Sequence, residues 1–418
     1  MKNIYLERYA SPQTYIAEND YGQPDLIVVL PCHKEPELLA SLDALESCDS
    51  PIGKVTVIVV INASVVSPLE TKKHNQETFG ACQSWLSQST KKYKYHFVLE
   101  NELPKKHAGV GLARKIGMDE AVRMFEEQDK DGIILCFDAD STCDTNLLVE
   151  VEKLFDQNPK APGCSIHFEH PLDGDLEPDV YEGILNYELH LRYYVDGLKF
   201  AGFPYAFQTI GSSMAVRTSA YQKQGGMNRR KAGEDFYFLH KIIPLGNFKE
   251  LNTTKIIPSP RRSDRVPFGT GRAIGTWLDE GKSELLSYDP QVFEELKVFF
   301  SSVDNLYQVE DMEKVWNGLP ASIRKFIPIE EFKTQIQEFN SQANSLAAFQ
   351  QRFFRWFDGF KVLKFVHFAR DEFYTNMPVA EGVNWLFGTL GKDATAWDLR
   401  RKLEELRTAD LQYMQTIG

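Results

Sequence analysis

The chain has 418 residues, 43% of them hydrophobic and 25% charged, which excludes a disordered protein and is long enough for two or three domains. Its formal net charge of -12 excludes non-specific nucleic-acid binding as the main activity, so basic residues have to be read locally. Six cysteines without a Cys-x-x-Cys pair exclude a zinc ribbon or a disulfide framework. No apolar signal core opens the chain and no apolar run is long enough to span a bilayer, so the expectation is a reduced, cytoplasmic protein.

The first strand is expected at Leu26 to Leu30, ended by Pro31-Cys32-His33-Lys34-Glu35-Pro36. Glu37 to Leu45 is amphipathic, and Val55 to Ile61 is a second apolar run closed by Asn62-Ala63-Ser64. That is β-loop-α-β, the start of a doubly wound sheet. Glu70 to Gln88 is polar and contains a helix anchored by Phe79, Trp85 and Leu86. A third strand, Tyr95 to Leu99, leads into Asn101 to Gly111, and the helical period returns from Leu112 through Ile116, Ala121 and Phe125.

The stretch from Asp131 to Asp144 organises the chain. Its unbroken apolar run, Ile133 to Phe137, suits a strand buried on both faces of a parallel sheet, with Asp138-Ala139-Asp140 emerging at the carboxyl end, where open α/β sheets bind ligands. Two Asp residues one apart on a strand point the same way, so both can face one divalent cation. A plain polar exit from the strand is the other reading.

Leu147 to Phe155 reads as a helix and Gly163 to Phe168 as a strand. Val180 to Phe200 is expected as a helix across the sheet, and Gly211 to Val216 includes a short strand. A Gly225-Gly226 turn and Gly233-Glu234-Asp235-Phe236 precede a helical run from Phe238 to Ile243. The most concentrated basic loop, Pro258 to Arg272, carries Arg261, Arg262 and Arg265 and suits a diphosphate or an anionic acceptor.

The last third is helical, over Val292 to Phe300, Phe332 to Leu346, Arg352 to Tyr374 and Ala396 to Leu411. Phe332, Ile336, Phe339, Ala343 and Leu346 are expected to form one apolar stripe. The aromatic and basic residues of Arg352 to Tyr374 suit a core or a homo-oligomer interface, with peripheral contact to a membrane surface as the alternative. The expected domains are residues 1–280, catalytic, and 281–418, helical.

From Leu26 to about Gly271 the order of features resembles family 2-type glycosyltransferases with the GT-A fold. The resemblance lies in Val28-Val29-Leu30-Pro31 with Glu35, Gly109 with Ala113-Arg114, Asp138-Ala139-Asp140, Gly211 with Met214 to Arg217, and Gly225-Gly226 before Glu234-Asp235. It implies a mostly parallel sheet flanked by helices. It also implies that Asp138 and Asp140 hold Mn²⁺ or Mg²⁺ against the diphosphate of a nucleotide-sugar. Asp235 would be the general base, with Glu234 orienting the acceptor. Pro31, Glu35, Asn62, Gly109 and Arg114 would lie at the nucleotide-sugar, joined by Asp138 and, from the basic loop, by Arg262 and Arg265. Lys106 reads as a solvated surface charge.

The chain departs from that family at Cys32-His33-Lys34, at Asn62 where an Asp is common, and in having after the acidic pair only His240, within the adjoining helix, and His367, far downstream. His167 and His170 read as structural. The Gln-x-x-Arg-Trp motif of processive synthases is missing, so a single transfer is expected. The reading is a hexosyl- or N-acetylhexosaminyltransferase using a nucleotide-sugar donor and a hydroxyl acceptor that is a saccharide, lipid-linked or small molecule, with inversion. A sugar nucleotidyltransferase would need a Gly-rich phosphate loop, and Pro31 to Pro36 holds no glycine. A non-catalytic sugar-nucleotide-binding or assembly subunit is the alternative from another class.

Overall fold

The computed structural model describes residues 3–263, 265 and 269–413; Asp264 and Val266 to Phe268 of the basic loop lie outside the described residues. The chain divides into two compact units, one of Met1–Ile184, Thr209–Glu280 and Arg407–Gly418, the other of Leu185–Gln208 and Gly281–Leu406.

The first unit opens with a short helix, α1 (Ile4–Arg8), and then alternates strand and helix: β1 (Leu26–Cys32), α2 (Leu38–Glu46), β2 (Val55–Ser64), α3 (Leu69–Ser87), β3 (Lys94–Leu103), α4 (Val110–Glu127) and β4 (Ile133–Cys136). Next come β5 (Thr142–Cys143), α5 (Leu147–Gln157), β6 (Gly163–Phe168) and α6 (Pro178–Phe200), the last running into the second unit. The first unit resumes with β7 (Met214–Arg217), α7 (Thr218–Lys223), α8 (Glu234–Ile242), β8 (Lys249–Ile257) and α9 (Thr270–Glu280).

These strands form one sheet in the order β3-β2-β1-β4-β7-β6-β8-β5. β1 pairs in parallel with β2, Leu26 opposite Val55, and with β4, Leu26 opposite Ile133. β7 is antiparallel to both its neighbours, and β6 and β8 are parallel. The mostly parallel α/β class expected from the sequence is therefore the one observed.

β1 is buried throughout because helices cover both faces. Val28 and Leu30 join Val57, Val59 and Leu135 in a core closed by Leu38, Leu42 and Leu45 of α2 and Val151 and Phe155 of α5. Val29 faces the other way, onto α4. There a Cβ at Gly117 would stand 2.5 Å from Val29 Cγ1, so only glycine lets the helix lie this close to the strand.

Four expectations change. β4 ends at Cys136, so Asp138 and Asp140 sit in the turn after the strand and not on it. β8 was not expected, since Lys249–Ile257 carries polar residues among its apolar ones. Residues 185–200 of α6 belong to the helical unit, where Tyr193 packs against Phe293 and Trp385 at ring distances of 5.3 and 6.3 Å, and not across the sheet. The stripe ending in Ala343 and Leu346 is broken: its helix stops at Gln342, Ala343 is extended, and Leu346 begins another.

The second unit adds α10 (Pro290–Ser301), α11 (Met312–Asn317), α12 (Ala321–Phe326), α13 (Ile329–Gln342), α14 (Leu346–Trp356), α15 (Gly359–Glu372), α16 (Val379–Thr389) and the start of α17 (Leu399–Tyr413). Asp289 caps α10 by accepting from the Gln291 N–H at 2.8 Å, with Pro290 in the first turn, where no donor is lost. Arg352 to Tyr374 is two helices, split where Asp358 caps α15. Phe353, Phe357 and Phe365 point inward. Phe299 meets Phe353 at 5.4 Å and Phe357 at 5.1 Å, and Phe326 meets Phe365 at 5.4 Å. Among the described residues no helix is long and apolar enough to cross a membrane.

Candidate active site

At the carboxyl ends of β1, β2 and β3 the chain ties its own loops together. Asn62 Nδ2 donates to the Cys32 carbonyl at 2.9 Å, while Asn75 Nδ2 donates to the Asn62 carbonyl at 2.9 Å and to Asn101 Oδ1 at 2.9 Å. Asn62 is buried, and its amide N–H bond to Cys32 helps fix the exit of β1. Lys34 takes a left-handed turn at φ 48°, its N–H donating to Asn75 Oδ1 at 3.1 Å, and this sharp bend leads into Glu35.

Glu35 is 1% exposed, and its carboxylate receives guanidinium groups from the basic loop that follows β8. Arg265 Nη1 lies 2.6 Å from Glu35 and its Nη2 lies 3.0 Å from Asp140; Arg261 pairs with Glu35 and reaches Asp140 at 3.4 Å. Burial alone would lower the Arg265 pKa, but Asp140 and Glu35 outweigh it and raise it. Arg262 points elsewhere: it forms a two-pronged pair with Asp279 of α9 at 2.7 and 2.9 Å, more than half exposed. The sequence favoured Arg262 and Arg265. The fold brings Arg265 and the unselected Arg261 into the cluster, four positions apart in one loop.

A second arginine anchors the other side. Arg114, in the second turn of α4 and 1% exposed, binds Asp138 at 2.7 Å and also Glu234. Burial works against its charge, but Glu234 and Asp138 more than compensate, so it stays protonated. Gly211 closes this corner. A Cβ there would stand 2.9 Å from both terminal guanidinium nitrogens of Arg114 and from Asp235 Oδ2. Gly211 was not singled out as a site residue; its place in the motif order was the available signal.

Gly233, at φ 65°, turns the chain into α8 and places Glu234 and Asp235 in its first turn, where the helix dipole favours acids. Glu234 is buried. Burial, opposed by Arg114 and reinforced by Asp235, pushes its pKa up to about 7. Asp235 is half-buried, accepts from the Phe236 N–H at 2.7 Å, and is raised chiefly by burial. Burial likewise raises Asp138, against the pull of Arg114 and with a push from Asp140.

Glu35, Glu37, Asp138, Asp140, Glu234 and Asp235 therefore face Arg114, Arg261 and Arg265, six carboxylates against three guanidiniums, a formal excess of three negative charges. Pro31 lies within β1 just before this loop, and Gly109 is the residue preceding α4. Among the described residues no three of His, Cys, Asp or Glu are placed to enclose a metal ion. The donor set fits the other mode of binding, in which one or two carboxylates hold a hard cation whose remaining ligands are substrate oxygens and water. His240 adds nothing to it: its ring packs on Phe236 at 4.3 Å, and burial lowers its pKa to about 4. His167 is buried and engaged with Glu169 at 3.0 Å.

No family model and no curated protein matches the sequence. Among solved structures the chain is similar to S. aureus TarS 1-349 in complex with UDP-GlcNAc, at 14% identity over 94% of this chain and 92% of that one, with a TM-score of 0.38. It is also similar to the mannosyltransferase PcManGT from Pyrobaculum calidifontis in complex with GDP-Man and Mn²⁺, at 14% identity over 99% of this chain and 93% of that one, with a TM-score of 0.33.

Proposed function

We propose that the chain is a glycosyltransferase that moves a hexosyl or N-acetylhexosaminyl group from a nucleotide-diphosphate sugar to an acceptor hydroxyl. The supporting observation is the cluster itself. Carboxylates and guanidiniums from loops far apart in sequence converge at the carboxyl ends of β1 and β4, with carboxylates in excess. Arg261 and Arg265 present planar donors suited to diphosphate oxygens. Asp138 and Asp140 are the residues that would hold Mn²⁺ or Mg²⁺, whose bound charge would stabilise the departing diphosphate as a Lewis acid.

Asp235 takes the proton from the acceptor hydroxyl. The hydroxyl oxygen then bonds to the anomeric carbon as the bond to the diphosphate breaks, and that bonding pair leaves with the nucleotide. Direct displacement of this kind inverts the anomeric centre. A base needs access and a pKa lifted toward neutrality, and half-buried Asp235 has both. Glu234 is less suited, being enclosed and bound to Arg114; it holds the guanidinium that also fixes Asp138.

The test is thermal shift with a panel of nucleotide-sugars, each with and without Mn²⁺. A ligand at a hundred times its dissociation constant adds about 2.7 kcal/mol of stability. At least one nucleotide-sugar should raise the melting temperature in a Mn²⁺-dependent way. No shift with any of them contradicts the reading.

A further inference from the structure

Outside the ion cluster, two loops of the first unit carry exposed positive charges without acidic partners among the described residues. Pro104-Lys105-Lys106-His107 leads from β3 to Gly109 and Gly111, and there the chain abuts Asn228-Arg229-Arg230-Lys231, the segment before α8, from far away in sequence. A Cβ at Gly109 would stand 2.9 Å from Lys231 Cα, and one at Gly111 would meet the Arg230 carbonyl oxygen. Lys105, Lys106, Arg229 and Lys231 are exposed.

None of the four forms an ion pair among the described residues, and the acids nearest in sequence are already engaged. Glu102 pairs with Lys72 at 2.6 Å, Glu100 accepts from the Tyr15 hydroxyl at 3.0 Å, and Glu234 holds Arg114. Arg230 is used differently, lying 3.5 Å over the Tyr237 ring. Scattered surface lysines usually sit among acids. Here, in a chain of net charge -12, two loops gather basic side chains and leave them unpaired.

The position gives the patch a purpose. Its two loops border the start of α4, and the second runs directly into Gly233, Glu234 and Asp235. The diphosphate already has Arg261 and Arg265, so the free charges are left for the other substrate. We propose that this surface binds a polyanionic acceptor, a hydroxyl-bearing chain carrying phosphate or carboxylate groups, and delivers its hydroxyl to Asp235. The inference rests on the transferase reading and specifies its acceptor. Exposed charges steer such a chain and hold it with a strong dependence on salt.

The test measures binding of sodium polyphosphate, polygalacturonate and neutral dextran to the wild-type chain and to the variant Lys105→Gln/Lys106→Gln/Arg229→Gln/Lys231→Gln. The wild type should bind one or both polyanions and not dextran, and the preferred polyanion tells phosphate from carboxylate. The variant should lose about tenfold or more in affinity, the worth of roughly one charge-assisted contact, while Mn²⁺-dependent binding of a nucleoside diphosphate stays unchanged. A control with the same charge change at exposed Lys73, Lys130, Lys153 and Lys160 should bind as wild type.

Equal losses in patch and control variants reduce the effect to net charge and overturn the proposal. So does an equal loss of nucleoside diphosphate binding, which would assign the patch to the donor. Binding confined to phosphatidylglycerol vesicles would make it a membrane-facing surface and overturns it as well. If no nucleotide-sugar stabilises the wild type, the transferase reading fails by itself, whatever the polyanions do.

Discussion

In the first unit Arg114 and Glu234 are charges taken out of water and held by each other, with partly exposed Asp138 on the same guanidinium, whereas in the second Phe293, Phe299 and Phe353 are rings held by packing. Packing needs no justification beyond stability. Buried charges do, because desolvation consumes much of what their pairing returns, and apolar residues of the same volume often stabilise as well or better. The fold keeps six carboxylates at one end of its sheet, with three of their pKa values raised, and we propose that it holds them for what they can bind.

The comparison is broken most forcefully by removing one member from each region. Phe293→Ala should cost about 3–5 kcal/mol, the usual range for emptying a buried aromatic site. Arg114→Ala should cost a similar 3–5 kcal/mol or so, because it leaves two acids without their counter-ion. Chemical denaturation gives both values. The difference lies in function: folded Phe293→Ala should keep its nucleotide affinity, and Arg114→Ala should lose it. Normal stability and binding in Arg114→Ala would make the pairing of Arg114 with Glu234 and Asp138 incidental.

Asp235→Asn separates catalysis from architecture. It keeps the side chain's size but cannot take a proton, so turnover should fall by about 10² to 10⁴ while donor affinity and melting temperature stay near wild type. Turnover can be followed with a competent acceptor or as donor hydrolysis. Full turnover would move the base to another residue.

The buried acids also predict a pH dependence. Between pH 4.5 and about 7 the folded protein keeps on Glu234 a proton that the unfolded chain has released. Unfolding therefore releases protons, and the stability contributed by this group falls as pH rises across that window. Glu234→Gln is neutral throughout and should remove that fall. Denaturation midpoints of wild type and variant, subtracted at each pH so that other groups cancel, should diverge by pH 7. Parallel curves would mean that Glu234 is ionised in the folded state well below neutral pH.

Within the basic loop the expected effects are smaller and unequal. Arg262→Ala removes an exposed pair with Asp279 and should change stability by less than about 1 kcal/mol, with no effect on nucleotide-sugar binding. Arg261→Ala with Arg265→Ala should weaken nucleotide-sugar binding more than nucleoside binding, since only the former offers phosphate oxygens. Calorimetry that ranks Arg262 with the other two would erase the distinction the fold draws.

Much of the fold could be read in advance because its strands are buried on both faces. β1, β2 and β4 appear in the sequence as runs rich in Val, Ile and Leu, and the strand expected at Gly163 to Phe168 matches β6 to the residue. β8 escaped because its polar residues interrupt any such run. In the helical unit periodicity alone could not find the break at Ala343, where the chain turns extended between two apolar stretches.

At the site, the residue types were legible and their partners were not. Asp138, Asp140, Glu234 and Asp235 stand out as acids at the ends of apolar runs. Which arginine meets which acid depends on loops brought together from across the chain, as with Arg261 and Arg265 at Glu35. Asn62 illustrates the converse. It stands at a strand end as a ligand contact would, and its amide is occupied by the carbonyl of Cys32.

The most direct measurement of the central claim is calorimetry of a nucleoside diphosphate binding to wild type and to Asp140→Asn, with and without Mn²⁺. Asp140 is partly exposed and, among the described residues, bonds only loop arginines, so the substitution should leave the fold intact. The account predicts Mn²⁺-dependent binding in the wild type and its loss in the variant, with the melting temperature of the free protein little changed. Equal Mn²⁺-dependent binding by both proteins would contradict it.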